Sequence, residues 1–216
     1  GARLSNRWDI VAGALSSNPE RAKASGKAWL LADDRVYFDY HEMAQAEAAR
    51  EDGIEAVSIV TPNHLHAPIA KAFMDVGIDV ISDKPLTTSL EEALNLAKTQ
   101  KESGVIFGVT YAYSAHVMVR QAQAMVRCGD LGDIRQIHVE YFQDWAMDIT
   151  DQSDDAPWRL NVAQNGPSLT VGYIGTHAEH LARFVSGLRI DSASADFHVT
   201  CKHKLLLDTD FMQLLV

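Results

Sequence analysis

Apolar and polar positions along the first two-thirds of the chain switch repeatedly between short continuous runs and helix-spaced stripes. Asp9–Leu15 (DIVAGAL) is a short apolar run that reads as a strand. Asn18-Pro19 then supplies a helix N-cap followed by proline at the first helical position, so helical character is expected through Arg21–Leu31. An alanine-rich helix is predicted over His41–Arg50, leading to a turn at Asp52-Gly53. Strand Ile54–Val60 follows, and a helix from Asn63 to Val76 has Gly77 in the C′ position. Strand Ile78–Ser82 comes next, and the capping box Ser89-Leu90-Glu91-Glu92 opens a helix that ends at Ser103-Gly104. Val105–Thr110 is a further strand, and amphipathic Ser114–Cys128 stops at Gly129. Strand–helix–strand repetition at this spacing means right-handed βαβ units on a parallel sheet, an α/β fold.

The pattern changes near Leu131-Gly132, which sets an expected division into domains 1–131 and 132–216. Ile134–Trp145 (IRQIHVEYFQDW) is longer, partly alternating and aromatic, the look of a strand covered on one face. Asp148–Gly166 is polar and turn-rich, resembling an active-site loop. A short helix is expected from His177 to Gly187, then strands at Ser192–Thr200 and Leu205–Val216.

Composition narrows the class only a little. The 216 residues are 47% hydrophobic and 22% charged, within the ordinary globular range. Nineteen basic against twenty-nine acidic residues give a net charge of −10, which argues against nucleic acid or an anionic membrane as partner. No apolar run reaches membrane-spanning length and no signal-peptide pattern opens the chain. Cys128 and Cys201 are too few for a disulfide framework, so a cytoplasmic setting is expected.

Candidate chemistry gathers where two predicted strands end. Strand Ile54–Val60 empties into Thr61-Pro62-Asn63-His64-Leu65-His66, and strand Ile78–Ser82 into Asp83-Lys84-Pro85. Ligands of open parallel sheets bind at the carboxyl ends of the strands. Lys84, between a carboxylate and a proline that restricts the backbone, is placed rather than floating; about 5–6% of X–Pro bonds are cis, and this one is a candidate. Its structural alternative is a surface lysine paired with Asp83. Downstream, Gly175-Thr176-His177-Ala178-Glu179-His180 sets a histidine at an expected helix start, where backbone freedom and the positive helix end lower an imidazole's pKa. Tyr111 and Tyr113 close strand Val105–Thr110 and are candidates to line a substrate pocket, as is the pair Trp158-Arg159. The histidines His64, His66, His177 and His180 do not form a recognised zinc pattern, and no cysteine lies near them, so no metal is expected.

A strand ending in Thr-Pro-Asn-His-x-His, a strand ending in Asp-Lys-Pro and a downstream Gly-x-His, in that order, resemble the Gfo/Idh/MocA oxidoreductases over essentially the whole chain. The resemblance implies an NAD(P)-dependent dehydrogenase of sugars, cyclitols or related polyols. Its fold would be a Rossmann-type doubly wound parallel sheet followed by an α+β domain with a large open, mainly antiparallel sheet, which often pairs with a second copy. It implies that Lys84 contacts substrate hydroxyl and nicotinamide ribose, that His177 exchanges the hydroxyl proton, and that Asn63 lies along the cofactor, with Thr61 and Pro62 shaping the turn. Asp83 and Pro85 flank the lysine at the cofactor. His66 borders the nicotinamide or packs at the loop, and Trp158-Arg159 matches a Trp-Arg pair whose arginine is a candidate for a hydroxyl or a carboxylate.

The chain departs from the pattern where an aspartate is expected four residues before the histidine: that position is Tyr173, expected to point into the site and assist. An NAD enzyme usually has an acidic residue after the second strand; here Ser16 and Ser17, with Arg21 nearby, lean towards NADP. No G-x-G-x-x-G occurs in the 216 residues, and both termini are expected to be incomplete. Two rival expectations follow: a non-catalytic NAD(P)-binding sensor or regulatory protein of the same fold, and a cofactor-free fragment.

Overall fold

The computed structural model describes residues 2–142, 144, 158–194 and 213–215. The chain divides into two compact units, the first containing residues 1–60, 66–82 and 91–108, the second 61–65, 83–90 and 109–216. After each of three strands the chain passes from the first unit into the second.

The first unit is built on βαβ repeats. Helix α1 (Pro19–Ala28) starts as the Asn18-Pro19 pair predicts, the Asn18 side chain accepting a hydrogen bond from Arg21 N at 3.0 Å. Its inner face carries Ala22 and Gly26; a Cβ on Gly26 would lie 2.5 Å from Val36, so only glycine permits this approach. The helix stops short of Leu31 because Leu30 turns to φ +59°. The apolar run at 9–15 forms one parallel bridge, Gly13 to Val36, rather than an extended strand, since its neighbours have no ladder partner among the described residues. Helix α2 (Tyr40–Ala48) is capped by Asp39, which accepts from His41 N and Glu42 N.

Strands β1 (Ala56–Ile59), β2 (Asp79–Asp83) and β3 (Phe107–Thr110) lie in that order in one sheet, β1 and β2 parallel from Ala56 opposite Asp79 to Ile59 opposite Ser82. Helix α3 (His66–Met74) links β1 to β2, and α4 (Leu90–Ser103) links β2 to β3. The α3 exit is closed by Gly77 at φ +81°, its N–H donating to Met74 O while Ile78 N donates to Phe73 O. Phe73, Met74, Val80, Ile59 and Ala70 form the centre of the core. Burying a side chain such as Phe73 contributes about 1.5–3 kcal/mol.

A polar network is buried beside this core. The Arg35 guanidinium pairs with the Glu47 carboxylate, which also accepts from Tyr37 Oη at 2.8 Å and from Ile54 N at 3.2 Å, while Arg35 reaches Asp52. Burial, then the hydrogen bond to Glu47 and its charge, push the Tyr37 phenol up to about 12.

In the second unit a 3₁₀ turn (Asn63–Leu65) follows β1, and the Lys84–Pro85 bond after β2 is cis. A 3₁₀ turn over Ala112–Ala115 precedes α5 (Val117–Cys128), which ends at Gly129 and packs on the later helix Thr176–Ser186, Gln123 donating to Phe184 O at 2.6 Å. The 131/132 division expected from sequence places α5 with the first domain, whereas by packing it lies in the second unit. The turn-rich region contributes a 3₁₀ turn (Trp158–Leu160) and the short α6 (Val162–Asn165); its part before residue 158 lies outside the described residues.

Two expectations are corrected here, and a third lies mostly outside the described residues. The helix predicted from His177 is α7 (Thr176–Ser186), but it continues from a π-helical turn at Val171–Gly175, with Gly175 itself helical at φ −57°. His177 therefore lies inside a continuous helix rather than at its positive end. Residues 134–142 form no strand, because no neighbour among the described residues supplies a ladder and alternation alone does not make one. The last two predicted strands are visible only as β4 (Ser192–Ser194) and β5 (Gln213–Leu215), which pair antiparallel; residues 195–212, with Cys201, lie outside the described residues. No helix among the described residues is long and apolar enough to cross a membrane.

Candidate active site

The second unit brings Lys84, Tyr173 and Arg159 into one cluster. Lys84 follows β2 directly, and its ammonium stands 3.3 Å from the centre of the Tyr173 ring while donating to the Tyr173 carbonyl at 3.1 Å. That carbonyl belongs to the π-helical turn, a feature that recurs at functional positions in helices. The Tyr173 hydroxyl accepts from Arg159 Nε at 3.2 Å, and the Arg159 guanidinium lies 5.0 Å from the Trp158 ring centre. Tyr173 thus presents its face to one cation and its hydroxyl to another. Asp83 accepts from Lys84 N at 2.9 Å and from Thr110 Oγ1 at 2.8 Å, which fixes the strand ends on either side of the lysine. Burial pulls the Lys84 ammonium down to about 8; the Asp83 charge opposes this and the Arg159 charge adds to it.

His177 is buried among aromatic rings. Tyr113 meets it at 4.6 Å and Tyr111 at 5.6 Å between ring centres, both edge-on, and Tyr111 stacks on His180 at 4.2 Å. Its Nδ1 is buried and has no hydrogen-bond partner among the described residues. Burial first, then the nearby Lys84 charge, lower its pKa, so the imidazole is neutral at pH 7. This replaces the helix end as the cause expected from sequence. The Tyr111 phenol is pushed up by burial and by Glu179, and Tyr113 by its hydrogen bond with Tyr141 at 2.8 Å, then by burial. An imidazole with its pKa lowered and one ring nitrogen unpartnered among the described residues, near a half-buried lysine, has the chemistry to accept a proton from a hydroxyl group.

The Thr61–His64 turn is held by a contact that sequence reasoning missed. Asn63, buried, donates its amide to Asn165 O and Oδ1 at 3.2 and 2.9 Å, and Asn165 donates onward to Ser168 O. His64 Nδ1 lies 3.2 Å from the Gln164 carbonyl and so carries the proton. Asn165-Gly166 stands in the sequence as a turn signal within a polar loop; its partnership across 102 positions has no local trace. Ser16, Ser17, Arg21 and His66 belong to the first unit. Ser16 Oγ accepts from Asn18 N, Arg21 is exposed, and His66 is fully buried as the first residue of α3. Among the described residues no group of three or more His, Cys, Asp or Glu is placed to hold a metal ion.

This arrangement has relatives. Residues 3–111 match the model of an oxidoreductase family with an NAD-binding Rossmann fold, and residues 119–215 match the GFO/IDH/MocA C-terminal domain. The chain belongs to the Gfo/Idh/MocA oxidoreductase family. It is 34% identical over 187 residues to an uncharacterized oxidoreductase, YfiI, of Bacillus subtilis, covering 85% of this chain and 47% of that protein. It is 33% identical over 171 residues to levoglucosan dehydrogenase of Pseudarthrobacter phenanthrenivorans, covering 79% of this chain and 41% of the relative. Among solved structures, an oxidoreductase from Sinorhizobium meliloti matches with a TM-score of 0.78 and 46% identity over 91% of this chain and 50% of its own. An inositol dehydrogenase homolog complexed with NAD+ from Azotobacter vinelandii matches with a TM-score of 0.78 and 33% identity, over 89% and 50%. A Gfo/Idh/MocA chain of this length spans about half of the curated relatives it matches.

Proposed function

We propose that the protein is an NAD(P)-dependent dehydrogenase that moves a hydride between a nicotinamide cofactor and the CH–OH carbon of a sugar, cyclitol or related polyol. The observation that carries this reading is the buried Nδ1 of His177, without a hydrogen-bond partner among the described residues, with the Lys84 charge close enough to lower the imidazole's pKa. Relatives named for levoglucosan, D-xylose and scyllo-inositol support the substrate class.

The residues present suit the cofactor in part. Thr61, Pro62, Asn63, Asp83, Lys84 and Pro85 are proposed for its nicotinamide end, on the chemistry of a buried amide and a tunable ammonium at strand ends. Ser16, Ser17 and Arg21 are proposed for the adenosine ribose; the Arg21 guanidinium is exposed and suits a 2′-phosphate, which keeps the lean to NADP. For His66, full burial supports the packing role over a cofactor contact. Bound, the nicotinamide would accept or return the hydride. Lys84 then holds the substrate hydroxyl as donor, and His177 takes its proton as the C–H bond breaks. Tyr173 sets the position of Lys84 through its ring and carbonyl, with Tyr111, Tyr113, Trp158 and Arg159 lining the substrate side.

Titration with NADPH and NADH, followed by nicotinamide fluorescence, and then a polyol panel with the preferred form, tests the reading. Binding with turnover is expected; absence of binding to both forms would overturn it. Binding without turnover would favour a second reading, a non-catalytic sensor, which a phenol at Tyr173 in place of a carboxylate keeps open. Pairing of two copies through the second-domain sheet is part of the proposal, and sedimentation tests it.

A further inference from the structure

Three consecutive residues at the end of α6 touch both strand-end loops. Gln164 offers its carbonyl to His64 Nδ1 at 3.2 Å, and Asn165 takes the Asn63 amide on its Oδ1 at 2.9 Å. Gly166, at φ +92°, lies against the loop that follows Lys84 and Pro85: a Cβ there would come within 3.1 Å of the Thr88 Cβ and 3.3 Å of its carbonyl oxygen. Only glycine combines that φ with that approach.

From Asn165 the bonding runs on towards the lysine. The Asn165 amide donates to Ser168 O at 3.0 Å, and Ser168 Oγ accepts from Gly172 N at 2.7 Å. Gly172 begins the approach to Tyr173, whose N–H donates to Leu169 O at 2.8 Å and whose carbonyl receives the Lys84 ammonium at 3.1 Å. One carboxamide therefore serves two ends, its oxygen the turn after β1 and its NH₂ the segment that leads into the π-helical turn. Asn63 and Asn165 are both buried, so an arrangement that broke these bonds would leave polar groups unsatisfied. Neither aspartate, which has no amide to donate, nor alanine could hold both ends.

We infer that Asn165 is a positioning residue for the reaction: it joins the turn at Asn63 to the π-helical turn beneath Lys84, so that the seating of the cofactor against Asn63 fixes where the Lys84 ammonium stands. The inference rests on the dehydrogenase reading for what the two ends bind, and on the hydrogen bonds alone for the link between them. Coupling along such a chain is measured by a double-mutant cycle.

Acylation of Lys84 by the N-hydroxysuccinimide ester of acetic acid, followed by peptide mass spectrometry, reads the freedom of the ammonium with neither cofactor nor turnover. Asn63→Ala and Asn165→Ala should each raise its rate several-fold, in line with the loss of one hydrogen bond, while Lys98 on α4 reacts at an unchanged rate. The double variant should react no faster than the quicker single one, because both substitutions cut the same link. Unchanged rates, or effects that multiply in the double variant, would overturn the inference. Steady-state kinetics separate positioning from packing. With the cofactor saturating, kcat of Asn165→Ala should fall several-fold while the KM for polyol stays within about twofold. A raised KM with kcat unchanged would make Asn165 a wall of the pocket and overturn its positioning role. Effects that multiply in a protein with NAD(P)-linked turnover remove this inference alone. Effects that do not multiply, in a protein that binds no dinucleotide, remove the dehydrogenase reading and leave the link.

Discussion

Two polar clusters in this molecule use the same residue types to opposite ends. Around Arg35 in the first unit, Glu47 receives a guanidinium, a phenol and a backbone N–H, so each charge is spent on a partner. Around Lys84 in the second unit, the ammonium rests on an aromatic face and a carbonyl, and Arg159 on a hydroxyl. Matched charges fasten a fold, while cations held on an aromatic face, a carbonyl and a hydroxyl keep capacity for a ligand. Burial is the largest cause of both shifts, and the neighbours differ: the bond to Glu47 and its charge add to the rise of Tyr37, while the Asp83 charge opposes the fall of Lys84.

The first cluster breaks most expensively. Glu47→Ala leaves Arg35 buried without its main counter-charge and should cost about 3–5 kcal/mol in urea unfolding. A loss under about 1 kcal/mol would mean that the network is ornamental. Asn165→Ala removes one of the two acceptors of the buried Asn63 amide, leaving it the residue 165 carbonyl, and should cost about 0.5–1.5 kcal/mol, with a weakened affinity for dinucleotide as its local readout. Tyr173→Phe keeps ring and carbonyl beneath Lys84 and removes only the acceptor of Arg159. Turnover should fall several-fold, in line with about 0.5–1.5 kcal/mol for one hydrogen bond. Unchanged turnover would remove the hydroxyl from the site's chemistry.

The pH dependence of stability sharpens the contrast with the smallest effects. Lys84 has a folded pKa of about 8 against an ordinary 10.5, so the folded protein binds fewer protons between those values and this group makes stability rise with pH there. Tyr37, raised from 10.0 to about 12, does the reverse: its stabilisation is complete below pH 10 and is lost as pH climbs towards 12. Lys84→Met should flatten the first slope and Tyr37→Phe the second, measured by thermal unfolding across buffers. A slope unchanged by its variant would contradict the assignment.

Local chemistry made much of the fold legible. Asn18-Pro19, Gly77 and Gly129 act within a few residues of themselves, and the elements they bound stand close to where the pattern puts them. The strand-end residues Thr61–Asn63 and Asp83–Pro85 were legible for the same reason. What sequence could not supply is partnership at a distance. Lys84 meets Tyr173 across 89 positions, and Asn63 meets Asn165 across 102. The π-helical turn before α7 has no composition of its own, so the sequence pattern starts at His177 a helix that in the fold begins earlier. Residues 134–142 carry a strand-like alternation, yet a strand depends on a neighbour that alternation does not encode.

The central claim is that the Lys84 cluster serves chemistry and not the fold, and Lys84→Met tests it when stability and NAD(P)-linked turnover are measured on the same preparation. The account predicts unfolding at the same denaturant concentration or higher, because a desolvated cation has been removed, with turnover reduced by about 10²–10⁴. A variant that unfolds more easily while its remaining folded fraction turns over normally would contradict it.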